Sequence, residues 1–178
     1  MHHNDIDPEE FVQNVYRIVE KRLPKKNSIF LFGAPNAGKT LLANSIARSV
    51  HFSSTLSNMQ GRSSFELQDM MYSRVAVFNE PQISNNSVEL LKNVTEGNTV
   101  TIDVKFKSGQ SLPRTPIICT TNTRFCINCN NAEIHSAAFR ARSFTYTLTP
   151  FSSLKDCSGD LHPQMWKELI DRYVSDDI

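Results

Sequence analysis

The chain has 178 residues, 39% of them hydrophobic, which suffices for one sizeable core and is too little for two ordinary domains. Its 19 lysines and arginines against 18 acids leave a formal charge of +1, excluding a uniformly basic coat for nucleic acid and confining any such contact to local clusters. No run approaches the roughly 20 apolar residues of a membrane helix, the first residues lack a signal-peptide core, and four cysteines in this setting read as reduced thiols, so a soluble, non-secreted domain without a membrane partner is expected.

Asp7 and Pro8 stand in N-cap and first-turn order, and Phe11, Val15, Ile18 and Val19 then fall on one face, predicting a leading helix that ends before Pro24. Residues 28–32 form a short apolar run ending at Gly33, which suits a buried strand feeding a tight turn, and Leu41 to Val50 reads as a helix. A polar, Ser-rich connection follows, with a short helix opened by Ser63 and Glu66 as a capping box. Residues 74–78 predict a second buried strand, and residues 87–96 a helix stopped by Gly97. Residues 100–106 alternate, and Ser108 with Gly109 can turn the chain back through Ser111 and Leu112, giving a hairpin. Residues 115–121 predict a third buried strand, residues 143–148 another, and residues 163–173 a closing amphipathic helix. Strands alternating with helices imply an α/β fold with a parallel sheet and an inserted hairpin.

Gly33-Ala34-Pro35-Asn36-Ala37-Gly38-Lys39-Thr40 fits the phosphate-loop pattern G-x-x-x-x-G-K-[ST] and lies between a predicted strand and helix, as that chemistry requires. The glycines let successive backbone N–H groups turn towards phosphates at the positive end of the helix. Lys39 adds a point charge, and the Thr40 hydroxyl can ligate Mg²⁺, so ATP with Mg²⁺ is the expected ligand. P-loop NTPases also place an acid at the end of a second buried strand, a place that Glu80 fills here, though a glutamate capping a turn has the same local pattern. Asn122 ends the third buried strand, where an amide can orient water or simply form a turn.

These strand ends, in this order and spacing, resemble superfamily 3 helicases, and in particular parvovirus replication proteins, densovirus ones included. Gly33 to Thr40 looks like the Walker A motif and residues 78–81 like Walker B. Residues 96–107 resemble the B′ segment with its DNA-contacting hairpin, residues 114–122 motif C with Asn122 as the sensor, and residues 139–144 the arginine-finger segment. The resemblance implies a P-loop NTPase of modified AAA+ type, with residues 25–178 as the ATPase domain and 1–24 as a leading helix of an oligomerisation or linker region. It further implies a hexameric ring on single-stranded DNA, action in the host cell nucleus, and an origin-binding nuclease domain elsewhere in the full-length protein. Glu80, Asn122 and Arg142 become the expected catalytic residues, and Thr40, Glu80 and Asn79 the expected metal site. Many relatives carry two adjacent acids where this chain has Asn79 before Glu80, so the amide would hold the metal through water.

Odd positions of residues 101–107 share one strand face, which places Lys105 and Lys107 together near the hairpin tip. In a ring they would line a pore and bind phosphates of any sequence; the alternative is an edge strand guarded by lysines. Phe106, pointing the other way, is expected in the core. Arg140 and Arg142 alternate onto one face if that segment is extended, and either could pair with a surface carboxylate; the resemblance favours Arg142 as the finger. Cys126 and Cys129 with His135 lack a well-spaced fourth zinc ligand and read as an unliganded loop. A picornavirus 2C-type ATPase and a nucleotide-dependent assembly module with little turnover are the rival readings.

Overall fold

The computed structural model describes residues 4–56, 59, 64–123, 129–152, 154 and 161–174. In chain order it contains α1 (Pro8–Val19), β1 (Ser28–Gly33), α2 (Lys39–Arg48), β2 (Ser53–Leu56), a 3₁₀ helix (Phe65–Met70), β3 (Val75–Asn79), α3 (Val88–Glu96), β4 (Val100–Val104), β5 (Lys107–Leu112), β6 (Ile117–Thr121), α4 (Ala132–Ala141), β7 (Ser143–Leu148) and α5 (Gln164–Tyr173).

Five strands form one sheet in the order β2-β3-β6-β1-β7, and every pairing in it is parallel. The central strands are apolar on both faces because both faces are covered. Phe30, Ala76, Phe78, Ile117 and Cys119 meet α3, α4, the 3₁₀ helix and the β4–β5 hairpin on one side. Their sequence neighbours Ile29, Leu31, Val75, Val77 and Ile118 meet α1, α2 and α5 on the other. The period-two alternation of side chains along each strand thus divides one apolar run between two cores.

The leading helix starts as its sequence dictates: Asp7 Oδ1 accepts from the Glu9 backbone N–H at 3.1 Å, and Pro8 occupies the first turn. Phe11 and Ile18 are fully buried in the same core as β1. Phe11 meets Tyr146 edge-on, with centroids 4.7 Å apart, while the buried Asn14 donates to the Tyr146 hydroxyl at 3.0 Å. Trp166 Nε1 donates to Ser45 Oγ at 3.1 Å and ties α5 to α2.

Three local expectations are corrected. The hairpin turns at Lys105 and Phe106 rather than at Ser108-Gly109, because Val104 pairs with Lys107 and a bulge in β5 absorbs the extra residue. The edge strand β2 was unreadable because its Ser-Ser-Thr sequence lacks an apolar face. Residues 132–141 form α4 rather than an extended segment; Phe139 alone among them is buried, so the helical period leaves little apolar trace. The expected capping box rests on Ser63, which lies outside the described residues; Ser64, the N-cap of the 3₁₀ helix, makes no side-chain cap and its Oγ accepts from the Asp103 N–H at 2.7 Å.

Candidate functional site

The phosphate loop leaves β1 through Gly33, at φ 148°, where a Cβ would lie 1.9 Å from the Leu148 carbonyl oxygen; only glycine fits. Asn36 and Gly38 adopt left-handed conformations that turn the loop into α2. Gly38 is the N-cap of α2, with no capping side chain and no acid in the first turn. No side chain of the cap or first turn of α2 neutralises the positive helix end, which suits an anion. Ala34, Pro35 and Asn36 are exposed on the loop, Ala37 is buried beneath it, and Thr40 is exposed in the first turn of α2.

Lys39 is the buried charge of the site, with 5% of its surface exposed. Its Nζ donates to the Gly33 and Ala34 carbonyl oxygens, both at 2.9 Å, and to Asn122 Oδ1 at 2.7 Å. Burial pushes its pKa below the ordinary lysine value, and the Glu80 carboxylate partly opposes that shift. An ammonium can only donate, so the contact fixes the Asn122 oxygen towards Lys39 and turns its NH₂ away.

Glu80 follows β3 in a left-handed conformation, φ 46°, held by donation of its N–H to the Thr120 carbonyl at 2.8 Å. Its exposed carboxylate accepts from the Asn122 N–H at 3.1 Å. Strand order explains the convergence: β3 neighbours β6, and β6 neighbours β1, so three strand ends meet in one row. Asn79 differs from its neighbour. Its Oδ1 accepts from Thr120 Oγ1 at 2.9 Å, which ties it to the adjacent strand β6.

Arg142 lies at the far end of the sheet. Ser28 pairs with Ser143 at the start of β1 and Gly33 with Leu148 at its end, roughly 16 Å along the strand. Within one chain, then, Arg142 is not brought to the phosphate loop. Its guanidinium donates from Nε to Glu96 Oε2 at 3.1 Å and from Nη1 to the Ala138 carbonyl at 2.8 Å, and Nη2 pairs with the same Glu96 oxygen at 3.0 Å. Arg140 is exposed on α4.

At the hairpin tip, Phe106 is fully solvent-exposed and left-handed, φ 63°, the reverse of the expected core position. Lys105 sits in the turn and Lys107 opens β5, so the two lysines flank the phenyl ring rather than sharing one strand face. Cys126 lies outside the described residues, and Cys129 is buried, its thiol facing the Ile83 carbonyl. Among the described residues no three metal-ligating side chains cluster.

A further feature was invisible in the sequence. An apolar cavity of about 420 Å³ lies on the β7 side of the loop, walled by Gly38, Leu41, Leu42, Leu148, Phe151 and Leu154. Its wall comes from residues far apart in sequence, and Leu154 packs so near Gly38 that a Cβ there would meet it at 3.1 Å.

A parallel sheet with a phosphate loop after β1, an amide ending the adjacent strand β6 and an acid just after β3, the strand beyond it, defines the α/β fold of the P-loop NTPases. A family model described as parvovirus non-structural protein NS1 matches residues 1–176, and the chain belongs to that family. It is 27% identical over 166 residues to the initiator protein NS1 of Bombyx mori densovirus, covering 93% of this chain and 18% of that protein. It is 30% identical over 149 residues to protein Rep52 of adeno-associated virus 2, covering 82% of this chain and 37% of that protein. The chain thus spans between about a fifth and two fifths of the length of these relatives. Among solved structures, a JCV helicase shares the fold with a TM-score of 0.63 at 18% identity, over 91% of this chain and 46% of that one.

Proposed function

We propose that this chain is the ATP-hydrolysing motor of a viral DNA helicase, working on single-stranded DNA as a hexameric ring during replication in the host nucleus. The observation that carries the reading is the continuous link from Lys39 through Asn122 to Glu80, with contacts of 2.7 Å and 3.1 Å. It joins the phosphate-binding charge to the residues placed to handle water.

The loop N–H groups and Lys39 bind the β- and γ-phosphates of ATP, and the apolar cavity beside Gly38 offers room for the base. The exposed Thr40 hydroxyl and Glu80 carboxylate form an oxygen donor set that fits Mg²⁺, with Asn79 in a supporting place because its oxygen already accepts from Thr120. Bound there, Mg²⁺ would neutralise charge on the β- and γ-phosphate oxygens. Glu80 orients the attacking water and takes its proton. The Asn122 NH₂, directed away from Lys39, donates towards the γ-phosphate or the water. Bond formation from water oxygen to the γ-phosphorus accompanies breakage of the bond to the β-phosphate, releasing ADP and phosphate.

Because Arg142 stands at the opposite end of its own sheet, it can serve only a neighbouring subunit's γ-phosphate. Ring assembly is thereby part of the mechanism. Lys105, Phe106 and Lys107 project from the body as a basic, aromatic tip, which supports contact with backbone phosphates and a base face. Phosphate release by the chain, measured with and without single-stranded DNA, tests the proposal. Turnover that rises with DNA and protein concentration is expected, whereas ATP binding with no turnover under any condition would leave a nucleotide-dependent assembly module.

A further inference from the structure

The finger and the hairpin are anchored to one another within each subunit. Glu96, the last residue of α3, holds the Arg142 guanidinium from the side by a hydrogen bond from Nε at 3.1 Å and an ion pair with Nη2 at 3.0 Å. With the Ala138 carbonyl, these hydrogen bonds occupy two of the five guanidinium N–H groups and leave three for a phosphate. The Arg142 side chain is 25% exposed, so it is oriented yet reachable.

Directly after Glu96, Gly97 turns the chain at φ 90° into the hairpin. The other end of the hairpin returns to the same point: a Cβ on Gly97 would lie 2.7 Å from Arg114 Nε, two residues past β5. Arg114 donates to Asn27 Oδ1 at 3.0 Å and to the Lys26 carbonyl at 2.9 Å. The Asn27 N–H in turn is shared between the Thr95 carbonyl at 3.0 Å and the Arg142 carbonyl at 3.2 Å, and its side-chain NH₂ donates to Val94 and Thr115. Both ends of the hairpin and both ends of Arg142, backbone and guanidinium, therefore meet at one junction.

We propose that Glu96 is a positioning residue that couples the hairpin to the finger, so that DNA held at the tip sets the orientation Arg142 presents to the next subunit. The inference rests on the reading that the hairpin takes single-stranded DNA and that Arg142 acts across the ring. A displacement of the hairpin pulls on Gly97, and Glu96 is the first residue to transmit it. A neutral amide keeps the shape of the glutamate and loses the charge-assisted grip on the guanidinium.

The test uses the assembled chain with ATP, with and without single-stranded DNA. Glu96→Gln is expected to keep DNA affinity and the KM for ATP within about twofold of the parent, while the fold-stimulation of kcat by DNA drops about fivefold or more, the lower end of usual coupling strengths. Glu96→Asp, which retains the carboxylate, should recover a substantial part of that stimulation. Stimulation in Glu96→Gln equal to the parent's would overturn the coupling and leave the motor reading intact. A parent whose turnover ignores DNA would overturn both.

Discussion

Lys39 Nζ lies 2.7 Å from Asn122 Oδ1, so the charge that meets phosphate and the amide that ends β6 form one unit. Glu80 accepts from the backbone N–H of the same Asn122 at 3.1 Å. The two ends of the link should fail differently. Lys39→Ala is expected to abolish ATP binding or turnover, whereas Glu80→Gln should retain ATP with near-parental affinity and lose hydrolysis. Nucleotide affinity measured by fluorescence or calorimetry beside phosphate release checks this, and an equal loss of affinity in both variants would reject the role of Glu80.

Asn79 accepts from Thr120 Oγ1 at 2.9 Å, a bond that an aspartate of the same shape can accept equally. Asn79→Asp should therefore fold normally, and the added carboxylate beside Glu80 should strengthen the hold on Mg²⁺. Turnover unchanged or raised, with half-saturation at lower Mg²⁺ concentration, is the expected outcome of a Mg²⁺ titration. Collapse of activity in a folded variant would assign the amide a specific role.

Much of this site was legible because its chemistry is local in sequence. Gly33 to Thr40 is one contiguous loop, and Glu80 and Asn122 each end an apolar run, so strand adjacency alone was needed to bring them together. The cavity wall of Leu148, Phe151 and Leu154 was not legible, because scattered apolar residues carry no spacing signal until the chain folds. Phe106 misled for a related reason: alternation gives the face a residue takes while the strand continues, and the strand ends at Val104. The anchoring of Arg142 by Glu96 joins residues 46 positions apart, one ending α3 and the other capping α4, which no local pattern reports.

The hairpin tip separates two kinds of contact. Lys105→Ala and Lys107→Ala should each weaken single-stranded DNA binding about equally for all sequences and reduce the salt slope by roughly one unit for each phosphate left without its lysine. Phe106→Ala should instead lower affinity with little change in salt slope, by about 1–3 kcal/mol if the ring stacks on a base. Because the ring is fully exposed, its removal should not alter the melting temperature. Binding isotherms across a salt series distinguish the two, and unchanged affinity in all three variants would return the tip to the status of a guarded loop.

Asn27 carries a structural prediction. Its side chain is fully buried, donating to the Val94 and Thr115 carbonyls at 2.9 Å and 2.8 Å and accepting from Arg114 Nε. Asn27→Ala strands three polar partners, at a cost of about 3 kcal/mol or more. In a domain of this size that should lower the melting temperature by roughly 6–12 °C. Thermal unfolding of the purified variant provides the measurement, and a shift within about 2 °C would mean that water or a rearrangement satisfies those groups.

The opposition of Arg142 and Lys39 across the length of β1 yields the prediction that tests the ring itself. A finger stabilising charge on the γ-phosphate contributes on the order of 10³ or more in rate in related NTPases. Arg142→Ala should accordingly bind ATP normally and hydrolyse it very slowly, although its own phosphate loop is untouched. Mixing then identifies where the finger acts. A Glu80→Gln subunit has a dead site and an intact finger, while an Arg142→Ala subunit has an intact site and no finger. Combined, they should recover hydrolysis at those interfaces where the first subunit serves the second, and recovery should rise with protein concentration because it requires assembly. Subunits that demonstrably co-assemble without any recovery would count against action between subunits, and full activity of Arg142→Ala alone would remove the residue from the reaction.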